Sequence, residues 1–240
     1  MRDVRERKMK PAGGHRILFP VTTPFIAQLR IGRPKNQAEP GEDPWITSIF
    51  REPVNIAVYC TRLGFEGDEV GDPSVHGGRD KAVLCYAATN YPKWQDELEL
   101  PMECGAFGEN LCIEGLDESS VCIGDVYRMG EAEVQVSQPR GPCGTLARRW
   151  GRLDLPRRVI GNHRSGWYIR VFREGYVKNG DVVELIARPQ PGWTVARTAE
   201  VNYSPQRGLS ETRELSELPE LSENWRRGLR EKLDAMTAAR

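Results

Sequence analysis

Ala132 to Cys143 read AEVQVSQPRGPC. Over AEVQVS the side chains alternate apolar and polar, the period of a half-buried β-strand. Pro139 and Pro142 then stand on either side of Arg140. Each proline fixes φ and lacks an N–H, so the pair makes a stiff, non-helical loop. That loop delivers one thiol, Cys143, beside a guanidinium at the end of a strand. Gly144 removes a side chain that would crowd the sulfur, and Thr145 is a candidate N-cap for a helix over LARRW. The free N–H groups and dipole at a helix start favour an anion. Cys143 therefore reads as an accessible thiol biased toward the thiolate, the nucleophilic and metal-binding form. The other reading is a small hydrophobe closing a strand end.

Working outward, short apolar runs alternate with turn signals, as 24 glycines and 17 prolines in 240 residues suggest. Extended pieces are predicted in SIFREPVNIAVY (Ser48 to Tyr59), KAVLCYA (Lys81 to Ala87), NLCIEG, VCIGDVYRMG, GWYIRVF, GYVKNGD and VVELIA. The KNGD segment is a turn, because Asn-Gly tolerates positive φ. Helices are fewer: YPKWQDEL capped by Asn90, and LPRRVIG capped by Asp154. Many short strands with a few inserted helices predict a mostly β, α+β fold built on a closed or half-closed β-barrel.

Composition changes after Arg188, where PQPGW is a linker signal. Beyond it Trp225, Leu229, Leu233 and Met236 fall on one helix face, so a small helical region is expected to pack through that stripe. The expected organisation is a flexible, basic N-terminal extension over residues 1–24, a β domain over 25–188 and a helical region over 189–240.

Formal net charge is zero, so the chain is no polycation. Between Ser137 and Arg173, however, nine arginines face one acidic residue, Asp154. Such an excess marks an anionic partner or a solvated surface. No apolar run approaches the ~18 residues of a membrane span, and two prolines interrupt the apolar patch from Ile17 to Ala27, so neither a membrane segment nor a signal peptide is expected. The six cysteines (60, 85, 104, 112, 122 and 143) form no CxxC pair, and reduced thiols in a cytoplasmic protein are expected. The three histidines do not fall at zinc-site spacing from any cysteine pair.

Two further stretches carry candidate chemistry. In VHGGRDKAV (Val75 to Val83), Gly77 and Gly78 let the backbone approach a ligand, and His76, Arg79 and Lys81 supply donors for a phosphate or heterocycle. Each also fits a tight turn with solvated charges. In FGENL, Asn110 caps a turn or meets a ligand.

Taken together and in order, LGFEGDEVGDPSVHGGRDKAV, AFGENL, IGDVYRMGEAEVQVSQPRGPC and GWYIRVFREGYVKNGDVVEL resemble the MOSC domain, named after the C-terminal domain of molybdenum-cofactor sulfurases. The resemblance is closest to the YiiM-like branch, in which a compact MOSC barrel precedes a 3-alpha domain, and LSELPELSENWRRGLREKL fits that second part. It runs from about residue 25 to residue 235; the N-terminal extension departs from it. The resemblance implies a MOSC-type β-barrel, the molybdenum cofactor as ligand, and Cys143 as the residue binding molybdenum through sulfur. His76, Gly77, Gly78, Arg79, Lys81, Asn110, Gln138 and Arg140 are the candidates for the pterin and its phosphate, with the arginine-rich segment as electrostatic rim. It also implies reduction of N-hydroxylated compounds such as 6-N-hydroxylaminopurine, with electrons from a separate reductase. His76 is a candidate proton donor.

Two rivals use the same residues. A sulfur carrier would hold a persulfide on Cys143 for metal–sulfur cluster assembly. An anion- or nucleic-acid-binding module would use the arginine-rich segment and the helical tail. It ranks last, because that segment has few interleaved aromatics beyond Trp150, Trp167 and Tyr168.

Overall fold

The computed structural model describes residues 23–204 and 208–238; the expected extension, apart from its last two residues, lies outside them. In chain order the strands and helices are β1 (Phe25–Ile31), β2 (Lys35–Asn36), β3 (Ile46–Thr47), β4 (Glu52–Val54), β5 (Val58–Thr61), β6 (Gly64–Phe65), α1 (Pro73–His76), a 3-10 turn at Arg79–Lys81, β7 (Val83–Ala87), α2 (Asn90–Leu98), β8 (Leu111–Glu114), β9 (Val126–Met129) and β10 (Ala132–Pro139). They continue with α3 (Gly144–Trp150), α4 (Leu155–Asn162), β11 (Trp167–Arg173), β12 (Gly175–Val177), β13 (Val183–Ala187), α5 (Val195–Tyr203), α6 (Leu209–Glu217) and α7 (Glu223–Ala238).

Eight strands form one sheet in the order β13-β9-β10-β11-β7-β8-β1-β4. Every pairing in it is antiparallel except β7 with β8, which α2 connects in parallel. The mixed α+β class is as expected, but the sheet is not closed into a barrel. Strand β13 at one end comes near β1, the last strand but one at the other, without forming a ladder. Phe25 bridges Val182, and the Val183 N–H donates to the Pro24 carbonyl at 2.8 Å. Then β1 shifts register between Ile26 and Gln28, and the Leu29 N–H is taken by the Asn179 side chain at 2.6 Å instead of by a strand carbonyl. Asn179 belongs to the KNGD turn, where Gly180 has φ +83°. The turn closes the seam with a side chain, so no eighth ladder forms.

Strand β10 lies third from one sheet edge and carries the sequence to the site. It is buried on both faces from Gln135 to Pro139, beyond the half-burial its alternation suggests. The reason is that the helical region covers its outer side. The Ser222 N–H donates to the Ser137 carbonyl at 2.9 Å, and Trp225 and Leu229 join the same apolar cluster as Val134, Val136 and Ile169. Along the expected stripe Trp225 and Leu229 are buried, while Leu233 and Met236 are half-buried as the helix leaves the body.

A second apolar cluster lies under α2, α3 and α4. Tyr86 stacks on Phe107 with centroids 4.2 Å apart, and the Trp94 indole N–H donates to the Tyr86 hydroxyl at 2.6 Å. Leu146, with no exposed surface, anchors α3 to this cluster. Helix α3 begins one residue before Thr145, with Cys143 itself at the N-cap position. Asn90 is the first helical residue of α2 and spends its amide on Glu118. No helix among the described residues is long and apolar enough to cross a membrane.

Candidate active site

The loop after β10 is built as its prolines dictate. Pro139 still pairs with Trp167, and the Arg140 N–H donates to the Gly166 carbonyl at 3.0 Å. Cys143 is extended (φ −127°, ψ 164°), and its sulfur makes no capping bond to α3. An added Cβ on Gly144 would meet nothing within 4 Å, so the sulfur's flank is open.

Cys143 lines two adjoining cavities. The larger, about 520 Å³, is walled by Arg51, Asp68, His76, Gly77, Gly78, Lys81, Asn110, Arg140 and Tyr168, among others. The smaller, about 350 Å³, lies between the β10–α3 loop and the helices α5 and α7. His76, Lys81, Cys143 and Tyr168 belong to both.

The larger cleft carries charges of both signs, with Arg51 already paired to Asp68 and with Arg140 and Lys81 acting on His76. Burial first, then the positive charges of Arg140 and Lys81, hold the His76 pKa below its usual value; Asp72 acts the other way. The imidazole is thus neutral at pH 7. Burial also lowers Lys81, whose Nζ donates to the Val75 carbonyl at 2.6 Å. Arg140 is 5% exposed, and its Nη1 has no hydrogen-bond partner among the described residues. Its positive charge also acts on the neighbouring Tyr168, whose pKa burial nonetheless raises.

The predicted residues divide in the structure. His76, Gly77, Gly78, Lys81, Arg140 and Cys143 come together at the larger cleft. Asn110 reaches the same wall with its carboxamide already committed: it donates to Asp68 at 2.9 Å and accepts from the Leu84 N–H at 3.1 Å. Gln138 lines only the smaller cavity, and its carboxamide oxygen accepts from the Ser222 hydroxyl at 2.8 Å. Arg79 is exposed on the 3-10 turn and lines neither cavity. Of the nine arginines in the basic segment, Arg140 lines the cleft. Arg148 lies 4.5 Å over the Trp45 ring, Arg149 donates to the Ile49 and Gly105 carbonyls, and Arg152, Arg158, Arg170 and Arg173 pair with carboxylates. The excess charge is therefore mostly consumed within the fold and does not form a rim.

Sequence reasoning missed the buried Arg51–Asp68 pair, bidentate at 2.7 and 2.8 Å, whose third arm donates to the Gly108 carbonyl at 2.6 Å. Asp68 and Gly108 sit within two of the quoted stretches, and Arg51 lies in SIFREPVNIAVY, expected to be extended, just before β4. Tyr168 falls in GWYIRVF, which reads as a strand and forms β11.

The other thiols are placed differently. Burial pushes Cys60 up to about 12 and raises Cys85 and Cys122 as well. A hydrogen bond between Cys104 and Cys112 lowers the first and raises the second, outside both cavities.

Residues 72–184 match the MOSC domain, and residues 193–235 match the YiiM-like 3-alpha helix domain. The chain is 39% identical to the uncharacterized protein YflK of Bacillus subtilis over 211 residues, 88% of this chain and 95% of that one. It is 36% identical over 201 residues to a Gibberella moniliformis protein named "Reductase", covering 81% of this chain and 35% of that longer one. The crystal structure of YiiM from Geobacillus stearothermophilus superposes with a TM-score of 0.74 at 30% identity, covering 88% of this chain and 99% of that one. With both halves of the fold and the order of the site loops accounted for, the chain belongs to the YiiM-like branch of the MOSC-domain family.

Proposed function

We propose that this chain is an oxidoreductase that holds the molybdenum cofactor in the larger cleft, with Cys143 as its ligand to the metal, and reduces N-hydroxylated compounds such as 6-N-hydroxylaminopurine. The observation that carries this reading is Arg140. A buried guanidinium N–H left unpaired costs about 1–3 kcal/mol or more, and an anionic ligand in the cleft would remove that cost. The phosphate end of a pterin cofactor is such an anion.

The remaining residues fit the same group. Lys81 and His76 add donors at the shared wall. Gly78, at φ +97° with open space where a Cβ would stand, leaves backbone amides within a ligand's reach. The cleft volume falls in the ~300–1,000 Å³ range of small-molecule and cofactor sites. A soft thiolate suits a heavy, polarizable metal. Among the described residues no group of three or more His, Cys, Asp or Glu side chains is placed to hold a metal ion. A metal at Cys143 would therefore arrive with its own donors, as a pterin-bound metal does. Family membership and the relative named a reductase support the redox reading.

In the overall reaction the N–O bond breaks, two electrons and two protons are consumed, and an amine and water form. The bound cofactor supplies the two-electron chemistry that side chains lack. The chain's own residues bind, orient and handle protons. Arg140 and Lys81 neutralise the anion. An anion there also offsets their repulsion of a charged His76 ring, so the imidazole can pick up a proton and pass it on. In this reading a separate reductase delivers the electrons.

The test is metal analysis of protein made in a host that synthesises the cofactor. Near-stoichiometric molybdenum, with viologen-driven reduction of 6-N-hydroxylaminopurine, is expected. Molybdenum-free protein carrying one extra sulfur atom on Cys143 would instead establish the sulfur-carrier role.

A further inference from the structure

We infer that the smaller cavity is the substrate pocket, and that helices α5 and α7 shape it to accept a flat, uncharged heteroaromatic ring bearing the N-hydroxyl group. This rests on the functional reading above, and it assigns to the helical region a role in specificity.

The two cavities divide by charge. Beyond the shared wall, the larger is lined by Arg51, Arg140, Asp68, Glu69 and Asp72. Beyond the same wall, the smaller has no charged side chain. Its far side is Tyr203 and Trp225, with the carboxamides of Asn202 and Asn224 beside them. An anion belongs beside Arg140 in the first, where one guanidinium nitrogen is left unpartnered, and a neutral ligand loses less hydration in the second. Because Cys143 and His76 border both, a ring in the smaller cavity can present its N–O group to the same sulfur-bound centre and proton carrier that the larger cavity holds.

The walls suit a ring. Tyr203 and Trp225 meet edge to face, 6.2 Å apart at 82°, giving one aromatic corner. Aromatic corners hold planar π systems by stacked and edge contacts. The Asn224 oxygen accepts from Arg227 at 3.0 Å, and the two carboxamides keep further donors and acceptors for a heterocycle's alternating edge. A volume of about 350 Å³ sits at the small end of ligand sites and is ample for a single base.

Gly228 supplies an independent observation. It lies in the interior of α7, where glycine costs about 1 kcal/mol against alanine. A Cβ built on it meets nothing within 4 Å, yet the residue lines this cavity. Gly228 is exposed, so packing does not require the glycine, and its missing side chain leaves the mouth of this cavity clear for a ligand.

The test uses molybdenum-loaded wild type, Gly228→Ala and Gly228→Leu, with 6-N-hydroxylaminopurine and the small N-methylhydroxylamine as substrates. Calorimetric binding of adenine, the uncharged planar product, gives a readout free of turnover. The leucine variant should lose at least roughly tenfold more kcat/KM on the purine than on N-methylhydroxylamine, the scale of adding carbons to a fitted pocket. It should weaken adenine by a similar factor, with the alanine variant intermediate and neither less stable than wild type. If the variants keep the wild-type ratio and adenine affinity while both substrates are turned over, the pocket assignment is wrong and the functional reading stands. If loaded wild type reduces neither substrate, the functional reading fails and takes this inference with it. Should the leucine variant misfold, the alanine variant with adenine decides alone.

Discussion

The Ser222 hydroxyl donates to the Gln138 carboxamide oxygen at 2.8 Å, with both residues buried. One bond thus joins the start of α7 to the strand that ends four residues before Cys143. The helical region is fastened to the segment that positions the thiol.

Ser222→Ala therefore leaves the Gln138 oxygen without its partner in a dry place. The expected cost is about 1–3 kcal/mol, read as a lower urea midpoint. A chain ending at Arg188 loses Trp193, Val195, Leu215, Trp225 and Leu229 from a cluster shared with the strands. The linker-like composition of PQPGW suggests a detachable tail, but this shared cluster predicts a single cooperative transition in the full chain and a less stable, dye-binding truncated one.

Cys85 and Cys143 should respond oppositely to serine. Cys85 is fully buried among apolar strands, so a hydroxyl there costs about 1–3 kcal/mol. Cys143 is half-buried on an open-flanked loop, so its serine variant should unfold within about 0.5 kcal/mol of wild type. Equal losses in the two unfolding curves would contradict these placements.

His76 gives a pH signature. Its folded pKa is depressed below the ordinary 6.5, so the unfolded chain binds the proton more readily. The associated stability is fully present above pH 6.5 and falls as the pH drops from there through the folded value. His76→Gln should flatten that decline. With three histidines in the chain, proton NMR can follow the ring directly. Its pKa should rise in Arg140→Met, and should rise in wild type when inorganic phosphate is added.

Arg140→Met should separate stability from binding. The variant removes a buried, half-satisfied cation and should fold as stably as wild type or more so. Its molybdenum retention should fall at least roughly tenfold, the equivalent of losing one charge-assisted hydrogen bond. Unchanged retention would take Arg140 out of the site.

Much of this was legible where local chemistry decides structure. AEVQVS reads as a strand and forms β10. The prolines around Arg140 read as a stiff loop and make one. The Trp225–Leu229 stripe reads as a packed face and is buried. What was not legible depends on partners distant in sequence. The open sheet follows from Asn179 capping Leu29 across 150 positions. Asn110 and Gln138 are the right polar types at the right place, yet their amides are spent on Asp68, Leu84 and Ser222. Arg51 acquires its role only when two loops meet around Asp68. The arginine-rich segment misleads because composition counts charges without showing which are already paired.

The central claim is that Cys143, alone among the six cysteines, holds molybdenum. Its most direct measurement is X-ray absorption at the molybdenum edge, on cofactor-loaded wild type and Cys143→Ser at matched protein concentration. The account predicts one protein-derived sulfur neighbour in addition to the pterin sulfurs in wild type, and its loss in the serine variant together with hydroxylamine reduction. Cys85→Ser and Cys122→Ser should keep it. An unchanged sulfur shell and wild-type turnover in Cys143→Ser would contradict the account.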